Sequence, residues 1–181
     1  MNKMNCDISA VLFDEYKIQT RIHELGLEIS NGYRGSIPVL IGILKGGFIF
    51  LADLARSITI PIEVDFLAIS SYGSNTSSSG VVKIRKDIDI DISGRDVIVI
   101  EDIVDTGLSL AYIKDYLCQH KPASLKTCVL LDKPDAHKTD VTFDYIGFSI
   151  KNEFVVGYGL DYAEKYRNLP FIGILKEELY R

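Results

Sequence analysis

The stretch from Val97 to Leu110 gathers the residues best suited to chemistry. Two carboxylates, Glu101 and Asp102, follow the apolar, β-branched run Val97-Ile98-Val99-Ile100. A third, Asp105, opens the turn Asp105-Thr106-Gly107-Leu108-Ser109, and Ala111, Tyr112, Ile113, Tyr116 and Leu117 then carry a helical pattern. Backbone N–H groups at a helix start, a glycine that permits close approach and the Thr106 and Ser109 hydroxyls form a cradle suited to a phosphate monoester. The carboxylates cannot bind that phosphate. They suit hydroxyl groups, a divalent cation or a proton, so the expected ligand carries a phosphate at one end and polyhydroxyl chemistry nearby. The plainer reading makes Glu101 and Asp102 solvated residues at a strand end and Asp105 a helix N-cap; three acids behind one buried strand favour the ligand. No P-loop lysine motif and no G-x-G-x-x-G run occurs, which removes ordinary NTPase and dinucleotide readings.

The elements that must position these groups follow from the apolar pattern. Val97–Ile100 reads as a central parallel strand covered on both faces, so the acids sit at a strand's carboxyl end, where open α/β sheets bind ligands. Val39-Leu40-Ile41-Gly42-Ile43-Leu44, then Lys45-Gly46-Gly47, then Phe48, Phe50, Leu51, Leu54 and Ala55 spell strand, tight turn, helix. Ile18, Ile22, Leu25 and Ile29 make Phe13 to Asn31 an amphipathic helix closed by Gly32. Two β-rich runs, Ile62 to Ile69 and Val81 to Arg85, flank a Ser/Gly-rich loop. Such a loop is costly in entropy to order and buries little, so 70–81 is expected to be mobile unless something binds beneath it, either as a plain hairpin connection or as a lid over a site. Thr127 to Leu131 is a strand that ends near Lys133, and Phe171 to Leu175 a late strand.

With 181 residues, 47% of them apolar and 25% charged, the chain suits a single domain, 1–181, with a sizeable core. No repeat or low-complexity linker divides it. The net charge of −5 disfavours a nucleic-acid backbone as main partner. Cys6, Cys118 and Cys128 show neither a disulfide framework nor a zinc pattern. The most apolar stretch, Val39 to Ala52, is interrupted by Lys45 and falls short of the ~18 residues of a spanning helix. No membrane partner and a reducing, cytoplasmic setting are expected.

The run Val99 to Leu110 resembles the phosphoribosyl-diphosphate (PRPP) signature of type I phosphoribosyltransferases. The wider set is similar to the 6-oxopurine branch of that family, the hypoxanthine-guanine phosphoribosyltransferases: Leu44-Lys45-Gly46-Gly47, Ser71-Tyr72-Gly73, Leu130-Leu131-Asp132-Lys133 and Glu153-Phe154-Val155-Val156-Gly157-Tyr158-Gly159-Leu160-Asp161-Tyr162. These blocks stand in the family's order and span nearly the whole chain. The resemblance implies an α/β type I phosphoribosyltransferase fold, a mainly parallel central sheet flanked by helices, with a small hood from the N- and C-terminal segments over the base. It implies Mg²⁺-dependent transfer from PRPP to hypoxanthine or guanine, giving IMP or GMP and pyrophosphate. It also implies a homodimer or homotetramer.

Each block gains an implied role. Thr106, Gly107 and Ser109, with the backbone of Asp105 and Leu108, would hold the 5′-phosphate. Glu101 and Asp102 would meet the ribose hydroxyls and magnesium, and Asp105 would face purine N7. Lys45 and Gly46, with Arg167, would hold pyrophosphate; whether the Lys45-Gly46 peptide is cis stays open. Lys133 would donate to the 6-oxo oxygen, Phe154 would stack on the base and Val155 would present backbone groups to its edge. Asp161 would bind a second magnesium, and Ser71 and Tyr72 would belong to the lid. Two departures stand out: Leu108 occupies a position where some relatives carry lysine, and Asp135-Ala136-His137-Lys138 lacks the adjacent arginines of some bacterial members. A xanthine-guanine specificity is the neighbouring alternative, and a non-catalytic, PRPP-sensing RNA-binding regulator the more distant one.

Overall fold

A computed structural model describes residues 3–71 and 82–180. A short helix α1 (Lys3–Cys6) leads into β1 (Ile8–Phe13) and then α2 (Glu15–Gly32). Next come β2 (Val39–Leu44), α3 (Phe48–Ser57), β3 (Glu63–Ser71), β4 (Val82–Lys86), β5 (Asp96–Val104) and α4 (Leu108–Cys118). The chain closes with β6 (Ser124–Asp132), β7 (Tyr145–Ser149), β8 (Val155–Val156) and β9 (Ile172–Leu175). Helix α2 starts later than its apolar spacing suggests. Phe13 still pairs with Ile172 as the last residue of β1, and Asp14 caps the helix by accepting the Lys17 N–H at 2.8 Å.

Six strands form one sheet in the order β4-β3-β2-β5-β6-β7, parallel throughout except for β4. Alternation along each strand sends side chains to opposite faces. Leu40, Ile98, Ile100, Cys128 and Leu130 therefore join Ile18, Ile22, Leu25 and Ile29 of α2 and Phe50, Leu51 and Leu54 of α3 in one core. Val39, Ile41, Val97, Val99 and Val129 join Leu110, Ile113 and Leu117 of α4 in the other. Both faces are covered, which is why the strand sequences are apolar without interruption. The connection from β4 to β5 is tied back by Asp65 of β3, whose buried carboxylate accepts the N–H groups of Phe66 (2.7 Å), Asp89 (2.6 Å) and Ile90 (2.9 Å), with Lys86 Nζ at 3.3 Å.

A second, antiparallel sheet in the order β1-β9-β8 joins an N-terminal strand to two late ones. This is the expected hood. Its Val155, Tyr158, Leu160 and Ile172 share the α2–α3 core, while Val156, Tyr166, Leu169 and Leu175 form a small core of their own. The Tyr158 hydroxyl donates to Asp53 of α3, fastening the loop after β8 to the main body. The sheet order also locates the ligand crevice. Winding from β2 goes to β3 on one side and from β5 to β6 and β7 on the other, so the reversal lies between β2 and β5, whose carboxyl ends carry Lys45-Gly46 and the Glu101–Ser109 run. Most of the expected lid, Tyr72 included, lies outside the described residues; its first residues, Ser70 and Ser71, close β3.

Candidate active site

Strand β5 runs through the acids rather than stopping before them. Glu101 and Asp102 are only 9% and 8% exposed, so they are not solvated end residues. Burial holds both carboxyls above the usual range, Glu101 well above it because the neighbouring Asp102 charge adds to its burial; the Arg167 guanidinium pulls Asp102 the other way. Neither forms a salt bridge among the described residues. Nor is Asp105 the cap of α4: the N-cap is Gly107, left-handed at φ +80 and without a side chain to cap with, and Thr106 Oγ1 accepts from Leu108 N–H only at a long 3.5 Å. The first turn of α4 is thereby left open to an anion. A Cβ at Gly107 would come within 2.7 Å of Val141 Cγ1, and Lys138 N–H donates to Thr106 O at 3.0 Å. The segment after Lys133 thus backs the turn, a support the sequence analysis did not identify.

Two cavities meet at Asp105. The first, about 110 Å³, is lined by Glu101, Asp105, Thr106, Gly107 and Ser109. The second, about 240 Å³, brings Asp102, Asp105, Lys133, Phe154, Val155 and Asp161 together. Ile103 lines both and Leu160 lines the second; neither stands out in the sequence, because an apolar residue carries no chemical flag there. Lys133 ends the β6 run, buried to 6% exposure, with Nζ at 3.7 Å from Asp105 Oδ2. Phe154, in the hood, lies against Tyr180 and Tyr162. Its contact with Tyr180 is also absent from the sequence reading, since the two residues are far apart in the chain.

The β2 turn completes the group. The Leu44–Lys45 peptide is cis, one bond before the position left open above. A Cβ at Gly46 would stand 1.7 Å from Asp102 Oδ2, and one at Gly159 would stand 2.2 Å from Gly46 O, so turn, acid and hood loop touch with no room for a side chain. Lys45 Nζ reaches both Glu164 oxygens at 3.1 Å. Arg167 Nη2 lies 2.8 Å from Asp161 Oδ1 and 3.3 Å from Glu164 Oε2, and its Nη1 donates to Gly159 O at 2.8 Å. Its Nε is buried without a partner. Glu164, which links the two cations, was not singled out in the sequence, where it sits among several charged residues.

A phosphate-sized niche at a strand–turn–helix, bounded by acids and opening into a ring-sized pocket beneath a hood, defines a protein that handles a phosphorylated sugar and a flat base. Residues 12–163 match the phosphoribosyl transferase domain family, and the chain belongs to that family. Its relatives place it in the hypoxanthine-guanine branch. It is 49% identical to the hypoxanthine-guanine phosphoribosyltransferase of Bacillus subtilis over 98% of both chains. It is 51% identical to that of Mycobacterium tuberculosis over 97% of this chain and 90% of the other. A crystal structure of a hypoxanthine phosphoribosyltransferase from Staphylococcus aureus aligns with a TM-score of 0.96 at 46% identity, covering 100% of this chain and 99% of that one.

Proposed function

We propose that the chain transfers the 5-phosphoribosyl group of PRPP to N9 of hypoxanthine and guanine, releasing IMP or GMP and pyrophosphate in purine salvage. The observation that carries this reading is the junction at Asp105, where the phosphate niche and the base pocket share one carboxylate. The Thr106–Ser109 turn holds the 5′-phosphate by backbone and hydroxyl donors, Leu108 supplying only its backbone. Lys133 donates to the 6-oxo oxygen, a contact that an amino group in its place cannot accept. Phe154 stacks on the ring and Val155 presents backbone groups to its edge. Lys45, Gly46 and Arg167 hold pyrophosphate, and the orphaned Arg167 Nε is a donor still available to such an anion.

In the reaction the N9 lone pair forms the bond to ribose C1 as the bond from C1 to the pyrophosphate oxygen breaks, that electron pair leaving with pyrophosphate. Asp105 accepts the proton from N7, so the base ends neutral. Positive charge on the sugar faces the buried acids Glu101 and Asp102. These acids also fit magnesium: two hard oxygen donors side by side, buried and hydrogen-bonded to each other and to backbone N–H groups but without a salt-bridge partner among the described residues, with further ligands left to a substrate's oxygens. No cluster of three His, Cys, Asp or Glu suited to a metal occurs among the described residues, in keeping with an ion held jointly by protein and substrate. Magnesium bound there, with a second ion at Asp161, would neutralise pyrophosphate charge. Closure by Ser71, Tyr72 and their loop to exclude water, a cytoplasmic setting and a homodimer or homotetramer belong to the same proposal. Among the described residues no helix is long and apolar enough to cross a membrane.

The test is pyrophosphate release from PRPP and Mg²⁺ with hypoxanthine, guanine, xanthine and adenine in parallel. Turnover of hypoxanthine and guanine, none of adenine, and a large loss in Asp105→Asn is the expected result. Preference for xanthine would reassign the base, and PRPP binding without turnover of any base would overturn the enzyme reading.

A further inference from the structure

Phe154 lines two cavities. One is the base pocket of about 240 Å³; the other is a larger hollow of about 680 Å³ lined by hood residues, among them Ser9, Glu153, Ile174, Lys176 and Tyr180. An aromatic ring that borders open space depends on its ring neighbours to fix its plane. Here Tyr180 supplies the missing support. Its ring stacks on that of Phe154 with centroids 4.7 Å apart and planes 23° from parallel, and Tyr162 meets the Phe154 ring edge-on at 5.6 Å and 89°.

The backbone delivers Tyr180 to this place. Leu175 N–H donates to Phe154 O at 2.9 Å, fixing the end of β9 beside Phe154, and Lys176 N–H donates to Asp7 O at 3.0 Å. A single 3-10 turn over Glu177–Leu179 then reverses the chain. Tyr180 N–H closes the turn on Glu177 O at 3.2 Å. The ring joins the small hood core beside Leu175 and Val156.

We propose that Tyr180 is a positioning residue for purine binding: by covering one face of Phe154 it holds the other face square to the base. This rests on the reading in which Phe154 stacks on the purine. A ring has two faces, and with one occupied by Tyr180 the base receives the second, so Tyr180, Phe154 and purine form one stack. The effect is confined to the base. The phosphate niche is built from the β5–α4 turn and shares no residue with this stack. Stacking also senses the ring rather than its substituents, so hypoxanthine and guanine gain equally.

The test compares steady-state kinetics of wild type, Tyr180→Ala, Tyr180→Leu, Tyr180→Phe and Phe154→Ala, each checked by thermal unfolding. Tyr180→Ala raises KM for hypoxanthine and for guanine by the same factor, about three- to ten-fold, while KM for PRPP and kcat hold. That pattern marks lost binding shared by ground and transition states. Tyr180→Phe restores the wild-type value. Tyr180→Leu, which keeps apolar volume in the hood but no ring, behaves as Tyr180→Ala and replaces it if the alanine variant does not fold. Wild-type KM for base in Tyr180→Leu, alongside a raised KM in Phe154→Ala, overturns the proposal and leaves the stacking reading standing. A parallel rise in KM for PRPP, or failure of Tyr180→Phe to rescue, reduces Tyr180 to a structural residue and also overturns it. An unchanged KM for base in Phe154→Ala removes the stacking reading, and this proposal with it.

Discussion

The ammonium of Lys133 lies 3.7 Å from Asp105 Oδ2, a side chain only 8% exposed facing one that is 54% exposed. The gap exceeds a hydrogen bond. Each group is near enough to attract the other and far enough to turn to another partner. If Asp105 is the proton acceptor proposed above, Asp105→Asn keeps the shape and removes that acceptor, so kcat is expected to fall about 10²- to 10⁴-fold with little change in thermal midpoint. Lys133→Met keeps the stem and removes the donor, raising KM for hypoxanthine about ten-fold or more. Pyrophosphate release measures both, and a Lys133→Met variant with wild-type KM would show that the 6-oxo oxygen is read elsewhere.

Glu101 is a buried acid with no salt-bridge partner among the described residues, its carboxyl held well above the usual range by burial and by Asp102. Replacing it with glutamine removes the cost of burying an ionisable acid beside Asp102, so Glu101→Gln is expected to be more stable by about 1–2 kcal/mol. At this size that raises the midpoint by about 2–4 °C per kcal/mol. Activity should fall in the same variant. Calorimetry at neutral pH without ligand checks the first half, and a midpoint below wild type would contradict the account of this pair.

Gly46 packs where a Cβ would stand 1.7 Å from Asp102 Oδ2. Gly46→Ala should cost about 2 kcal/mol or more, because a buried carboxylate must move. In an Asp102→Ala background the obstacle is gone and the cost should fall well below that value. Denaturant midpoints of the four proteins give the coupling; additive effects would show that the turn adapts without touching the acid.

Asp65 offers a pH test away from the site. Burial pushes its carboxyl up, but the Ile90, Phe66 and Asp89 N–H groups and the Lys86 ammonium outweigh burial and hold it below the usual aspartate range. A depressed carboxyl stabilises the fold above its unfolded value, and that stabilisation is lost as pH falls through the folded one. Asp65→Asn should therefore cost about 2–3 kcal/mol at pH 7. The gap from wild type should narrow below about pH 4. Urea unfolding at several pH values follows it, and a gap independent of pH would mean that geometry rather than charge ties down the loop.

The sheet was legible because its strands are covered on both faces: Val39–Leu44 and Val97–Ile100 admit no alternation, so the sequence is apolar throughout. The Asp105–Ser109 turn was legible because glycine, threonine and serine at a helix start have few other uses together. Short hood strands were harder. β8 has two residues, Val155 and Val156, and its partner β9 lies beyond a loop of left-handed residues, so pairing rather than local pattern defines it. The start of α2 is not legible in the sequence because Phe13 is apolar in either state; only its pairing with Ile172 assigns it to a strand. The edge strand β7 carries Gly147, whose missing Cβ lets Leu130 O approach to 2.4 Å of that position, a reason visible only once the sheet is assembled. Charged residues such as Glu164 gave no signal, because a carboxylate among surface charges is unremarkable until two cations converge on it.

Among the described residues the two sheets share no ladder and are joined through side-chain packing and the Tyr158–Asp53 bond, so the smaller sheet is expected to open at lower cost than the larger one. Opening of β1, β9 and β8 would release Phe154 and Val155 while β5 and α4 keep their bonds, so on the proposed assignment of these residues a grip on the base would be lost before the niche for a phosphate. Amide exchange should register this as two classes of protection, slow in β5 and β6 and faster in β8 and β9. A base analogue should slow the second class, whereas inorganic phosphate should leave it unchanged.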